Sequence, residues 1–184
     1  MDVLFTVLPF ADVERPAIGV SLLHTQLKRI GVSSAIRYFT IDLAEWIGLD
    51  VYNWLTQCRE QPAMGTTAPA GTLIGEWFFA DLVFPGEIPP EDEYIAKFLA
   101  PEPASQEIIA EILKSRRVRH EFITYCVREI QLHAPKVVGF TSAFHFRSQL
   151  FAYAREFFKA EHRLFDRIAL QAFYEFKVAQ FIGA

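Results

Sequence analysis

The chain has 184 residues, is 52% hydrophobic and carries a formal net charge of -4 at pH 7. That length suits one domain over residues 1–184 with a sizeable core, and the mild acidity gives no broad basic field for nucleic acid. Its two cysteines, Cys58 and Cys126, cannot build a disulfide framework, a zinc site or an iron–sulfur motif.

No apolar run is long enough to span a bilayer, and the N-terminal one starts after Asp2 without a basic leader and ends at Pro9. The expectation is a cytoplasmic protein without membrane or nucleic-acid partners. The 18 phenylalanines are more apolar surface than one small domain readily hides, so part of the surface is expected to meet a partner.

Val3 to Leu8 reads as a first strand, apolar on both faces as in the middle of a parallel sheet. Pro9 to Pro16 is a loop bracketed by prolines. Ile18, Leu22, Leu23, Leu27 and Ile30 then recur at helical spacing, and Gly31 is placed to close that helix. Ser34 to Phe39 is a second strand, which completes a right-handed crossover unit.

From Thr40 the pattern turns helical. Ile41–Ile47 and Val51–Leu55 carry aromatic residues on one side, Gln61 to Gly71 is a Pro, Ala, Gly and Thr loop, and Leu73 to Phe84 is an apolar helix stopped by Pro85-Gly86. Glu93 to Leu99 is a short helix. Ala104 to His133 reads as one long helix with Ile108, Ile112, Phe122, Cys126 and Ile130 on its inward face, which makes Cys126 a core thiol. This helical insert, about residues 41–133, separates the second strand from a third.

That third strand is Val137-Val138-Gly139-Phe140, running into Thr141-Ser142. A short apolar run between a proline and small polar residues is a buried parallel strand. In open parallel sheets ligands sit beyond the carboxyl ends of the strands, where Thr141, Ser142, Ala143 and Phe144 fall. A strand that merely ends in a helix cap gives the same eight residues. Ser148 to His162 is helical, with Leu150, Phe151, Ala154, Phe157 and Phe158 as its stripe. Ile168–Leu170 is at most a brief strand, and Phe173 to Ile182 fits three–four spacing better than alternation. The fold class is therefore α/β: an incomplete Rossmann-like, flavodoxin-like parallel sheet of about three to four strands with a large helical insert.

The loop Pro9–Pro16 lies beside the Thr141–Ser142 loop if their strands are neighbours. Asp12, Glu14 and Arg15 can then hydrogen-bond a ligand, with backbone amides from the next helix N-terminus. No dinucleotide or phosphate-loop glycine motif occurs. His145 is placed as a cap or surface residue rather than a metal ligand, and His24 and His133 are structural. No nucleophile elbow or spaced carboxylate pair is present, so no catalytic residue is assigned.

The string Leu8-Pro9-Phe10-Ala11-Asp12-Val13-Glu14-Arg15-Pro16 resembles the N-terminus of radical-SAM C-methyltransferases that mature ribosomal peptide natural products (RiPPs). The resemblance continues through Arg37-Tyr38-Phe39, Asp42-Leu43-Ala44-Glu45, Gly75 to Ala80 and Val137 to Phe144, over roughly residues 3 to 155. In that family the region is a Rossmann-like cobalamin-binding domain ahead of a radical-SAM barrel. The resemblance implies a cobalamin cradle formed by Pro9, Phe10, Ala11, Asp12, Glu14 and Arg15 with Thr141, Ser142, Ala143 and Phe144.

The family's next strand, its Gly-Gly loop and its Cys-x3-Cys-x2-Cys cluster motif do not occur here, so no iron–sulfur cluster is expected in this chain. The Asp-x-His-x-x-Gly signature of histidine-ligated cobalamin domains is absent too, so no axial metal ligand is assigned. The chain resembles a family N-terminus that stops short, with a divergent tail over about residues 163–184. It reads as a fragment or subunit of such a methyltransferase system, with a radical-SAM partner chain or a second copy as partner. A cofactor-free interaction subunit or a non-functional truncated gene product is the alternative. The tail Phe173–Ile182 is expected to be helical and to cover the open sheet edge.

Overall fold

A strand of alternating burial needs cover on one face, whereas a strand apolar throughout needs a layer on each. The computed structural model describes residues 1–57, 74–83, 86, 88–99 and 106–141, and within them every strand is parallel. The strands are β1 (Val3–Val7), β2 (Ser34–Tyr38) and β3 (Val137–Thr141), in the order β2-β1-β3. The register aligns Thr6 with Arg37 and Phe140, and Val7 with Tyr38 and Thr141. The fold is Rossmann-like α/β, as the alternation of strand and helix predicts.

Between β1 and β2 lies α1 (Ile18–Arg29). Its end is the one the sequence predicts: Gly31 has φ +77, Val32 N–H donates to the Leu27 carbonyl and Gly31 N–H to that of Lys28. Those two bonds satisfy the last carbonyls of the helix in a left-handed glycine cap. The apolar stripe of α1 is not the buried one, however. Val20 is its buried residue, Leu27 is half-buried, and Ile18, Leu22, Leu23 and Ile30 are exposed.

The insert follows as α2 (Phe39–Ile47), α3 (Leu49–Gln57), α4 (Ile74–Val83), α5 (Glu91–Tyr94) with a π-helical turn at Ile95–Leu99, α6 (Gln106–Arg117) and α7 (Arg119–His133). Several boundaries shift by one or two residues from expectation, the short helix starts at Glu91 and ends in the π-helical turn, and two further differences bear on packing. The second strand ends at Tyr38, because Phe39 is fully buried as the first residue of α2. The expected continuous helix 104–133 is broken at Val118, whose N–H bonds back only three residues, to Ser115, before Phe122 N–H resumes on the Val118 carbonyl. The inward face is as predicted: Ile112, Phe122, Cys126 and Ile130 are buried and Ile108 packs against them.

The two sides of the sheet are unequal. Leu4 and Val138 join Phe39, Leu43, Tyr52, Phe78, Ile112, Phe122 and Ile130 in the main core, under the insert. On the other side Phe5 and Val7 cluster with Val20, the buried residue they meet among the described ones, with Leu27, Ile36 and Tyr38 packed around them. Apolar burial of this kind is the main stabilising term, about 25 cal/mol per Å², and among the described residues more of it lies on the insert side. Among the described residues no helix is long and apolar enough to cross a membrane. The expected loop at Gln61–Gly71, the helix at Ser148–His162, the brief strand at Ile168–Leu170 and the tail helix Phe173–Ile182 lie outside the described residues.

Candidate functional site

Because β2 and β3 flank β1, the chain leaves β1 toward one side of the sheet and reaches β3 over the other. Crossovers that diverge from a central strand open a crevice at its carboxyl end, which is where parallel sheets hold ligands. Here that point lies between the end of β1 and the end of β3. Leu8 N–H donates to the Thr141 carbonyl at 3.4 Å, which keeps the two strand ends together as the loop begins.

The loop after β1 is fixed from below. Phe10 has φ 65, in the left-handed region that residues with a Cβ rarely occupy. That backbone turn drives its ring into the main core, where Tyr52, Phe78 and Phe79 surround it at centroid distances of 6.0, 5.8 and 5.8 Å. Tyr52 Oη donates to the Ala11 carbonyl at 2.7 Å. Phe10 is thus the anchor of the loop, and what the loop offers a ligand comes from its neighbours.

Those neighbours are Asp12, Glu14 and Arg15, all exposed, with Pro9 and Ala11 half-buried. Asp12 Oδ1 accepts from Glu14 N–H at 2.7 Å, a side chain closing its own turn. Its Oδ2 lies 3.4 Å from Arg15 Nε. The next helix starts without a side-chain cap: Ala17 precedes it, and its first turn holds no acidic residue. Among the described residues the first amides of α1 thus have no side-chain cap, at the positive end of the helix dipole.

Thr141 is half-buried at the facing strand end. Ser142, Ala143, Phe144 and His145 lie outside the described residues. Among the described residues the loop carrying Pro9, Ala11, Asp12, Glu14 and Arg15 leaves the end of β1, Thr141 ends the paired β3, and Phe10 is buried in the core. Sequence reading missed Tyr52, Phe78 and Phe79 as supports; their signal was aromatic clustering in helices remote along the chain.

A second polar cluster sits one residue below the carboxyl end of β2. Arg37 Nη2 lies 2.6 Å from Tyr125 Oη, 3.0 Å from Asp42 Oδ2 and 3.5 Å from Glu129 Oε2. Burial raises the Asp42 carboxyl above its ordinary range, against the pull of Arg37, and burial likewise raises the Tyr125 hydroxyl. Cys126, buried on the same helix, has its thiol pushed far up by burial, with Asp42 adding to it. A thiol in that state is inert. Arg37 and its partners tie β2, α2 and α7 together.

His24 Nδ1 meets Ser34 Oγ at 2.9 Å, pinning α1 to β2, and His133 is exposed at the end of α7. Among the described residues no group of three or more His, Cys, Asp or Glu could hold a metal ion. The described residues of the candidate rim offer a guanidinium, two carboxylates, a hydroxyl and the uncapped start of α1 for binding. Compared with protein-family models, with curated proteins and with solved structures, the chain matches none.

Proposed function

We propose that this chain is a cobalamin-binding-domain-like unit, a fragment or subunit of a radical-SAM peptide methyltransferase system in RiPP maturation, working in the cytoplasm. The observation that carries the reading is the pairing of Val7 with Thr141. It makes β1 and β3 neighbours, so that the loop Pro9–Pro16 and the segment that begins at Thr141, on which the sequence resemblance rests, leave adjacent parallel strand ends.

The residues at those strand ends suit a corrin. The ring of cobalamin is fringed with amide side arms that need both donors and acceptors. Arg15 and the uncapped amides of α1 supply donors, while Asp12 and Glu14 supply acceptors. Pro9 and Ala11 are half-buried and would give a flat macrocycle partly apolar contacts, and Phe10 anchors that stretch in the core. Thr141, at the end of the adjacent strand, adds a hydroxyl. Bound, the cofactor would supply methyl-group chemistry to a partner radical-SAM chain; this chain's residues bind it, orient it and shield one face.

Hydroxocobalamin titration tests the reading, followed by the visible spectrum and by thermal shift. The expected outcome is saturable binding with a raised melting temperature, weakened by Arg15→Ala and Asp12→Ala. No spectral change and no stabilisation at high micromolar cobalamin would remove the cofactor role.

A specific observation favours a second reading, a cofactor-free interaction subunit. Ile18, Leu22 and Ile30 of α1 stand exposed, and contiguous exposed apolar residues mark an interface. Light scattering on the purified chain separates the two: self-association without cobalamin binding would favour the second.

A further inference from the structure

We propose that Tyr52, a residue of α3 with no exposed surface, is a positioning residue of the candidate site and sets its affinity without touching the ligand. The inference rests on the cobalamin reading and names what keeps the loop after β1 ready for that ligand. That loop holds no strand or helix of its own between β1 and α1. Its backbone polar groups therefore need other partners wherever they are withdrawn from water.

Phe10 has its ring in the core, and Ala11 after it is half-buried. The Ala11 carbonyl accepts from Tyr52 Oη at 2.7 Å. Among the described residues no backbone amide reaches that carbonyl. Tyr52 thus meets the loop twice. Its ring stacks on Phe10 at 6.0 Å and 24°, and its hydroxyl fixes the next residue.

The groups proposed to meet the ligand follow directly. Asp12 Oδ1 accepts from Glu14 N–H at 2.7 Å, and its Oδ2 lies 3.4 Å from Arg15 Nε. Asp12, Glu14 and Arg15 are tied to one another through the Asp12 carboxylate, and to the core through the adjacent Ala11 carbonyl. All three side chains are exposed, and exposed pairs hold little by themselves. The Tyr52 bond has a fully buried donor residue, so it is the contact that selects one conformation of the loop. A site that is competent only part of the time loses affinity by that fraction. One hydrogen bond of ordinary net strength corresponds to roughly a three- to tenfold change.

Tyr52→Phe in the full chain tests it, since the change removes the hydroxyl and keeps the ring beside Phe10. Two quantities are read: hydroxocobalamin affinity by visible titration, and hydrogen exchange of the Glu14 amide by NMR without cobalamin. Ile130→Val, in the same core but on α7, controls for lost stability alone. Tyr52→Phe should bind about three- to tenfold more weakly and exchange its Glu14 amide faster by about the same factor. Ile130→Val should match wild type in both. Arg15→Ala should cost less affinity in the Tyr52→Phe background than in wild type, as coupled sites require. Unchanged affinity or unchanged Glu14 exchange in Tyr52→Phe would overturn the proposal, as would equal losses in Ile130→Val. A Glu14 amide that exchanges at the free-peptide rate in wild type would overturn it too, whether or not the variant folds. If wild type binds no cobalamin, the cofactor reading falls by itself and Glu14 exchange decides whether Tyr52 positions the loop.

Discussion

Gly139 lies beside the ring of Phe5, and a Cβ built on it would come within 2.8 Å of Phe5 Cδ1 and 3.2 Å of Cε1. Phe5 is itself buried and packed against Val7 and Val20, so the ring cannot swing clear without opening the α1 side of the sheet. Gly139→Ala should therefore destabilise the fold by about 1–3 kcal/mol, the usual cost of overfilling a packed site. Urea unfolding measures it. Phe5→Leu in the same chain should recover part of the loss, and a Gly139→Ala chain as stable as wild type would show that the ring moves freely. The same residue scale explains Phe10. Its left-handed backbone costs about 1–3 kcal/mol by itself, and burial of the ring among Tyr52, Phe78 and Phe79 offsets that cost while stiffening the rim above.

Between elements, the break at Val118 has a cause that lies outside the helices it separates. Arg116 is buried, its Nη2 3.1 Å from Asp81 Oδ1 and its guanidinium carbon 4.0 Å above the Trp77 ring. Tyr94 stacks on Trp77 at 4.1 Å with a 4° tilt, which leaves the other indole face to Arg116. Arg119 also pairs with Asp81, and donates to the Arg116 carbonyl as well. Three residues apart, both arginines converge on one carboxylate of α4, and the Arg119 bond to the Arg116 carbonyl spans the tightened turn between them. Asp81→Asn should cost about 1.5–3 kcal/mol, since it removes the nearest counter-charge of a buried guanidinium and leaves it Glu91 at 3.8 Å and the Trp77 carbonyl at 3.3 Å. Glu111→Gln, which removes the exposed Lys114 pair, should cost under about 1 kcal/mol. Chemical denaturation of the two variants side by side checks this, and equal losses would mean that the buried cluster contributes no more than a surface pair. None of this was legible in sequence, where 104–133 reads as one helix: a helix-breaking residue would have shown, but a carboxylate over twenty residues upstream does not. The strands were legible, because Val3–Val7 is apolar on both faces and Val137–Thr141 sits between a proline and small polar residues. The periodicity of α1 gave the helix and its glycine cap but not its orientation, since Val20 is inward and four of the five residues of the predicted stripe are exposed. The candidate rim was legible as two loops, and the β1–β3 pairing shows that the strands they leave are neighbours. That Phe10 turns inward could not be read from a polar, proline-bounded loop, because the cause is a single φ angle.

At the scale of the whole molecule, the end of the sheet opposite the candidate rim is closed by one carboxylate. Asp2 accepts from Ser33 N–H at 3.1 Å and from the Ser33 hydroxyl, and pairs with Lys136 Nζ at 2.7 Å. Val3 N–H reaches the Ser33 carbonyl and Val137 N–H reaches that of Asp2. The starts of all three strands thus meet at Asp2, far along the chain from one another. Its carboxyl is held well below the ordinary 3.8, first by Lys136 and then by Ser33. Asp42 is shifted the other way, above the same ordinary value, because burial outweighs the attraction of Arg37. The two shifts have opposite consequences for stability. A lowered carboxyl contributes stability that is present above 3.8 and is lost as pH falls below it. A raised carboxyl takes up its proton in the folded chain first, so its ionised form weakens the fold at neutral pH, and that weakening is relieved as pH falls toward 3.8. Asp2→Asn should therefore be less stable than wild type at pH 7, with the gap closing as pH falls below about 4. Asp42→Asn should be at least as stable as wild type at pH 7, since the neutral amide removes a charge whose burial outweighs its pairing. Any advantage should shrink as pH falls toward 3.8, the ordinary value of the carboxyl it replaces. Urea midpoints for the three chains between pH 7 and pH 3 decide it. A deficit for Asp2→Asn that stays constant with pH would show that the Ser33 hydrogen bonds, and not the charge facing Lys136, join the three strands. A marked loss for Asp42→Asn at pH 7 would show that the Arg37 pair, despite its burial, holds β2 to α2.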